Sequence, residues 1–174
     1  TAGRISQSIN LGTSAAPVGL NSKTVLDLIV DAGQVLDEQN IPEQGRYLIL
    51  PAWVLSLIKK SDLKDASLAG DGTSILRNGR VGMIDRFTLY LSNLLPKATV
   101  NVGTTASANN VNAFHLIAGH KNALTFATQM TEMEDIRLEK RFASAVRGLQ
   151  VYGYKVVDPT CLVDIHAYKA AEPT

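Results

Sequence analysis

The chain is short of the residues that most catalytic, metal-binding and membrane functions require. It holds one cysteine, Cys161, in 174 residues, which excludes an internal disulfide and any zinc cage built on cysteines. Lys and Arg number 17 against 16 Asp and Glu, for a net charge of +1. A tight grip on nucleic-acid phosphates needs a clear basic excess, and none is present. No run of about eighteen apolar residues exists, so no transmembrane helix is expected, and Thr1–Asn10 lacks the apolar centre of a signal peptide. The sequence does not begin with Met, from which a processed product or a fragment is expected.

What is present is enough for a core. Apolar residues make up 45% and charged residues 19%, a globular balance fit for one domain or two lobes. Residues 1–21, rich in Ser, Thr, Gly and Ala, read as an extended lead-in. Val25, Leu28, Ile29, Ala32, Val35 and Leu36 recur at helical spacing, with Asp27, Asp31, Asp37 and Glu38 off that stripe. Asn21 or Ser22 suits the start of this helix, and Asn40 and Pro42 stop it, because Pro42 forces Ile41 out of helical geometry. Arg46–Leu50 reads as a buried strand. A second helix follows from Pro51, with Trp53, Val54, Leu57 and Ile58 as its apolar face and Lys59 and Lys60 at its cation-favouring end. Residues 61–78 read as a polar loop with a turn at Gly70–Gly72.

From Gly79 the period becomes strand-like. Strands are expected at 80–85, 87–95, 113–120, 123–134, 149–157 and 161–166, with an exposed hairpin loop within 102–110. The stretch Ile136–Val146 fits either a helical turn or a strand. Helices first and strands after make an α+β chain, without the regular alternation of a doubly wound sheet.

Motifs for chemistry are weak. Gly79–Gly82 leads into a strand, whereas a phosphate site needs glycines that open a helix. His115, His120 and His166 are the only histidines. None sits in a metalloprotease pattern, so structural or surface roles outweigh a metal site. Asp62, Asp65 and Asp71 have the wrong spacing for a calcium loop. No Ser or Cys has a nearby His partner in a nucleophile pattern, and Cys161 suits a small core position. Glu132, Glu134, Asp135 and Glu139 form an acidic cluster interleaved with Arg137, Lys140, Arg141 and Arg147. Mixed charge of this kind suits a solvated face or an ion-pairing contact surface more than acid–base work. Trp53, Phe126, Tyr152 and Tyr154 fit core packing first and interface anchoring second.

Three segments carry a resemblance: "GRYLILPAWVLSLI" (Gly45–Ile58), "GRVGMIDRFTLYLSNLLP" (Gly79–Pro96) and the last third from Phe114 to Lys169, with its "VRGLQVYGYKVVDP". In pattern these resemble the major capsid (coat) proteins of tailed phages, which share the Hong Kong 97-type shell fold. The resemblance implies a spine helix at 24–39 and a peripheral lobe of residues 22–44 and 120–145. It also implies an axial lobe, a sheet with helices, of residues 45–119 and 146–174. Family chains carry an N-terminal arm and an extended hairpin before the spine helix. Only about twenty residues precede it here, so those parts are expected upstream or cut away, and no cross-linking lysine is carried over.

The implied function is structural, with no catalytic, cofactor or metal site. Copies would form pentamers and hexamers that tile an icosahedral shell enclosing double-stranded DNA, held by weak contact. Scaffolding, portal and decoration proteins are the further partners implied, with the virion capsid as location and the host cytoplasm as the place of assembly. Expected inter-subunit contacts are Glu132, Glu134, Asp135, Arg137, Glu139, Lys140, Arg141 and Arg147, with Thr104 and Asn109 from the exposed loop. Two alternatives stay open: an encapsulating nanocompartment shell, and a hydrolase using the Glu132–Glu139 acids.

Overall fold

The structure is a computed structural model that describes residues 9–61, 82–103, 109–138 and 141–172. Nine strands and two α-helices are described, with a 3-10 turn at Pro159–Cys161: β1 (Val18–Leu20), α1 (Val25–Glu38), β2 (Arg46–Leu50), α2 (Ala52–Lys60), β3 (Met83–Ile84), β4 (Phe87–Leu91), β5 (Lys97–Asn101), β6 (Asn110–His120), β7 (Leu124–Arg137), β8 (Ser144–Val156) and β9 (Leu162–Lys169). They form an α+β fold. The main sheet runs β1-β9-β6-β2-β4-β3, with β5 on the outer half of β6. β1 is parallel to β9 and β2 to β4, while β6 is antiparallel to β9, β2 and β5. Among the described residues β7 and β8 pair only with each other and make a separate two-stranded ribbon.

α1 forms where the apolar period requires it, and the whole expected stripe is buried, joined by Gly33. Its start is organised by Asn21, whose side-chain oxygen accepts from the backbone N–H of Lys23 and Thr24. Asn40 ends it in the left-handed region, at φ 56°, a conformation that asparagine tolerates. The stripe packs on the face of the main sheet that presents Leu48, Leu50, Leu116, Val163, Ile165 and Ala167, and α2 adds Val54, Leu57 and Ile58 to the same cluster. Alternation along β6 and β9 aims those residues at the helices and their neighbours at the opposite face.

The seam between α1 and β2 is polar. Arg46 is 1% exposed. Its Nη2 donates to Asp37 Oδ1 and to the carbonyl of Ile41, both at 2.6 Å, and its Nε donates to the carbonyl of Pro42 at 3.0 Å. A buried guanidinium is tolerable only when its donors are satisfied in this way. Arg86 reaches the other oxygen of Asp37 at 2.9 Å and Glu43 at 2.8 Å. Burial raises the Asp37 carboxyl, but hydrogen bonds from Arg46 and Arg86 outweigh it and leave the group below its ordinary value. Arg86 stands in the tight turn between β3 and β4, where Asp85 and Arg86 both have positive φ, as a two-residue hairpin turn of this hand requires. That turn closes on α1 at Gly33, where a Cβ would lie 2.5 Å from Asp85 Oδ2.

Two features of the fold cross the lobe boundaries expected from the sequence. The expected partition set 22–44 apart from 45–119, yet α1 shares one apolar cluster with β2, β6 and α2. The physical reason is that an isolated amphipathic helix must bury its stripe, and the sheet offers the nearest apolar face. The partition also cut the chain between 145 and 146, inside β8, whose residues pair with β7 on both sides of the cut. Smaller differences follow the same physics. The strand expected at 80–85 is reduced to Met83–Ile84 among the described residues. The lead-in contributes a short parallel strand, β1. Within Ile136–Val146, Ile136 and Arg137 end β7 and Ser144, Ala145 and Val146 begin β8. The expected polar loop, the turn at Gly70–Gly72 and Asp62, Asp65 and Asp71 lie outside the described residues.

Candidate subunit-contact surface

The ribbon combines strong strand formers with almost no burial. β7 has 14 residues and β8 has 13; at about 3.3 Å per residue the ribbon is on the order of 45 Å long. Leu124 pairs with Val156, Phe126 with Tyr154, Thr128 with Tyr152 and Met130 with Gln150. Alternation places these on one face. Phe126, Tyr152 and Tyr154 are 61%, 65% and 74% exposed. The sequence placed these three aromatics in the core before the interface. The structure corrects that: among the described residues no helix or second sheet covers them. Trp53 alone of the four packs on the core cluster, tilted against Phe114 with ring centroids 5.8 Å apart.

A β-bulge then rephases the strand. The register shifts between Met130 and Glu132, so Glu132 faces Leu149, Met133 faces Gly148 and Glu134 faces Arg147. Thr131 is the extra residue, and its hydroxyl donates to the carbonyl of Leu149 at 3.2 Å. Past a bulge the two-residue alternation restarts on the opposite phase. Glu132 and Glu134 therefore lie on the face of Gln129 and Val151, while Met133, Asp135 and Arg137 continue the face of Phe126 and Met130. The acidic cluster is split between two surfaces, and the apolar face gains Met133 and Val146, 67% and 70% exposed.

The expected contact residues divide accordingly. Arg147 donates to Glu134 from Nε at 2.9 Å and from Nη2 at 2.5 Å, and the side chains are 67% and 45% exposed. Such a pair contributes about 0.2–1 kcal/mol. Arg137 lies over the Phe142 ring at 5.2 Å, beside Asp135, which pairs with Val146. The carbonyl of Arg141 accepts from Ala143 in the ribbon's turn. Glu139 and Lys140 lie outside the described residues, as does Thr104. Asn109 is at the other hairpin, β5–β6, where its backbone N–H donates to Asn101 Oδ1 at 2.8 Å.

The hydrolase alternative finds little support at the acids. Glu132 and Glu134 line an open concavity of about 320 Å³ with Arg147, Gly148 and Leu149, while Asp135 lies on the ribbon's other face and Glu134 is engaged by Arg147. Cys161 is buried, as its position suggested. Burial pushes its thiol up from the ordinary value, and a hydrogen bond to Asp158 pushes the same way, which disfavours the reactive thiolate.

What sequence reasoning missed here is the bulge. Thr131 carries no glycine or proline signal, and only the pairing with Leu149 displays it.

No curated protein sequence matches the chain. A solved structure from Mycobacterium phage Che8 is similar at 27% identity with a TM-score of 0.66, over 88% of this chain and 52% of that one. The capsid structure of the cyanophage P-SCSP1u is similar in fold, with a TM-score of 0.63 at 18% identity, over 87% of this chain and 48% of that one. The chain thus spans about half the length of these two structures. The profile of the phage capsid protein family matches residues 2–165, and the chain belongs to that family.

Proposed function

We propose that the chain is the self-associating body of a major capsid subunit, and that the β7–β8 ribbon is the part that neighbouring copies cover. One observation carries this reading. A two-stranded ribbon on its own is at best marginally stable in water, yet this one exposes Leu124, Phe126, Met130, Met133, Tyr152, Tyr154 and Val146 along a single face. An apolar face of that length marks a contact surface. Family membership supports a structural role, with the virion capsid as its place. In this reading rings of five and six subunits tile an icosahedral shell around double-stranded DNA, which a net charge of +1 holds only loosely. The helix-and-sheet body lies towards the ring axis, with the end of the β5–β6 hairpin at a neighbour. The ribbon runs outward along the next subunit. Glu134, Arg147, Asp135 and Arg137 then set register at its edges, where charge pairs give specificity more than affinity. Scaffolding, portal and decoration proteins would meet the finished rings, and assembly takes place in the host cytoplasm.

Sedimentation velocity over a concentration series, followed by negative-stain electron microscopy, tests this. The chain is expected to associate into rings or shells of uniform size. A variant with Phe126→Ser and Tyr154→Ser is expected to stay small while keeping its circular dichroism. Equal association of both proteins, or monomers at every concentration, contradicts the proposal.

A further inference from the structure

The main sheet has a second face, turned away from α1 and α2, and three side chains converge on it. His115 on β6 pairs directly with His166 on β9, and Asp164 lies two residues before His166 on the same face. Their neighbours Leu116, Val163, Ile165 and Ala167 point the other way into the core, so the backbone fixes all three positions from below. His115 Nδ1 is 3.0 Å from Asp164 Oδ2, and His166 Nε2 is 3.3 Å from the same oxygen. The imidazole centroids are 4.1 Å apart. One donor atom from each residue falls within 4.8 Å of the other two.

The geometry points to a binding site for a divalent first-row transition ion of the zinc class. Ligand atoms about 2.0–2.2 Å from a tetrahedral ion stand about 3.3–3.6 Å from one another, and the two measured separations are already close to that. Two imidazoles and one carboxylate suit zinc, cobalt or nickel. Magnesium and calcium prefer sites built of oxygen ligands alone. Asp164 is 49% and His115 31% exposed, so the remaining coordination position opens to solvent. Support behind the site is firm. The backbone N–H of His166 donates to the carbonyl of Leu11 at 3.0 Å. Gly12 (φ +78°) lies so close that a Cβ there would meet the carbonyl of His166. The third histidine is not part of the set. His120 is buried, with Nε2 at 2.9 Å from the carbonyl of Gln44 and Nδ1 accepting from the Asn122 N–H, so both its nitrogens are engaged. The sequence displayed the two histidines but not Asp164, which only the pairing of β6 with β9 brings between them. This site is independent of the assembly reading and joins β6 to β9 across the centre of the sheet.

Titration of the untagged, chelator-treated chain with Co²⁺, read by its visible absorption, and with Zn²⁺, read by calorimetry, tests the assignment. One equivalent of ion per chain is expected, with micromolar or tighter affinity and no matching signal for Mg²⁺. His115→Gln, His166→Gln and Asp164→Asn should each weaken binding by about tenfold or more, while the conservative His120→Gln change leaves the ratio at one. Proton–nitrogen NMR of the unsubstituted chain covers the case in which a variant unfolds: the His115 and His166 ring signals should shift on Zn²⁺ addition, and those of His120 should not. No stoichiometric uptake, or uptake that survives all three substitutions, or ring shifts confined to other residues, overturns it.

Discussion

β6 and β9 on one side, and β7 and β8 on the other, are built from similar residues and have opposite fates. Along β9 every second residue is buried, Val163, Ile165 and Ala167, because α1 and α2 cover that face. Along β7 and β8 the pattern is exposed almost from end to end, although Phe126, Met130 and Met133 are as apolar as the residues of the core and Tyr152 and Tyr154 add two large aromatic rings. Burial is thus decided by what lies across a face, not by residue type. The main sheet finds its cover within the chain. Among the described residues the ribbon does not, and under the proposed function its cover is another copy.

Breaking the body should unfold the chain, and breaking the ribbon should not. The largest effect is expected at Arg46→Ala, about 3–4 kcal/mol by urea denaturation. The carbonyls of Ile41 and Pro42 would lose their donor in a buried seam, and Asp37 would keep only Arg86. Leu116→Ala, at the centre of the sheet and 1% exposed, should cost about 3 kcal/mol through lost burial and the cavity left behind. A value below about 1 kcal/mol at either position would mean that the helices do not cover the sheet as described.

Acid should weaken the body through Asp37. Its carboxyl is held below the ordinary value of 3.8, so the charged form is favoured by folding. That contribution is complete above 3.8 and disappears as pH falls below it through the depressed value. The side chain is 42% exposed, which keeps the effect small. Urea midpoints of Asp37→Asn should therefore change less between neutral and acid pH than those of the unsubstituted chain. Smaller again is Glu134→Gln, about 0.5 kcal/mol and vanishing in high salt, read by thermal melts at two ionic strengths. Smallest is Phe126→Ser in the dilute chain, within about 0.5 kcal/mol of zero. A loss of several kcal/mol there would erase the distinction between body and ribbon.

Much of the body was legible in the sequence, because α1 and β2 each carry their period in full. Val25 through Leu36 spells a helical stripe, and Arg46–Leu50 a short strand between punctuating residues. The α+β class followed from their order. Arg46 was not legible as a buried group, since nothing local distinguishes a charged strand start from a surface one; its partners Gly33 and Asp37 lie on α1 and Ile41 in the connection that follows it. The ribbon was legible as strands over 123–134 and 149–157, and its aromatics Phe126, Tyr152 and Tyr154 were read as core before interface, because period and propensity report a pleated surface but not whether anything covers it. The charge cluster was visible as a run. Its division between two faces rests on the bulge at Thr131, a product of pairing rather than of local composition.

Hydrogen exchange followed by mass spectrometry on dilute and concentrated chain tests the central claim most directly. The account predicts that amides of β2, β6 and β9 exchange slowly in both. Those of Leu124–Arg137 and Ser144–Val156 should exchange quickly when dilute and become protected as the chain associates. Ribbon protection that is unchanged by concentration would contradict it.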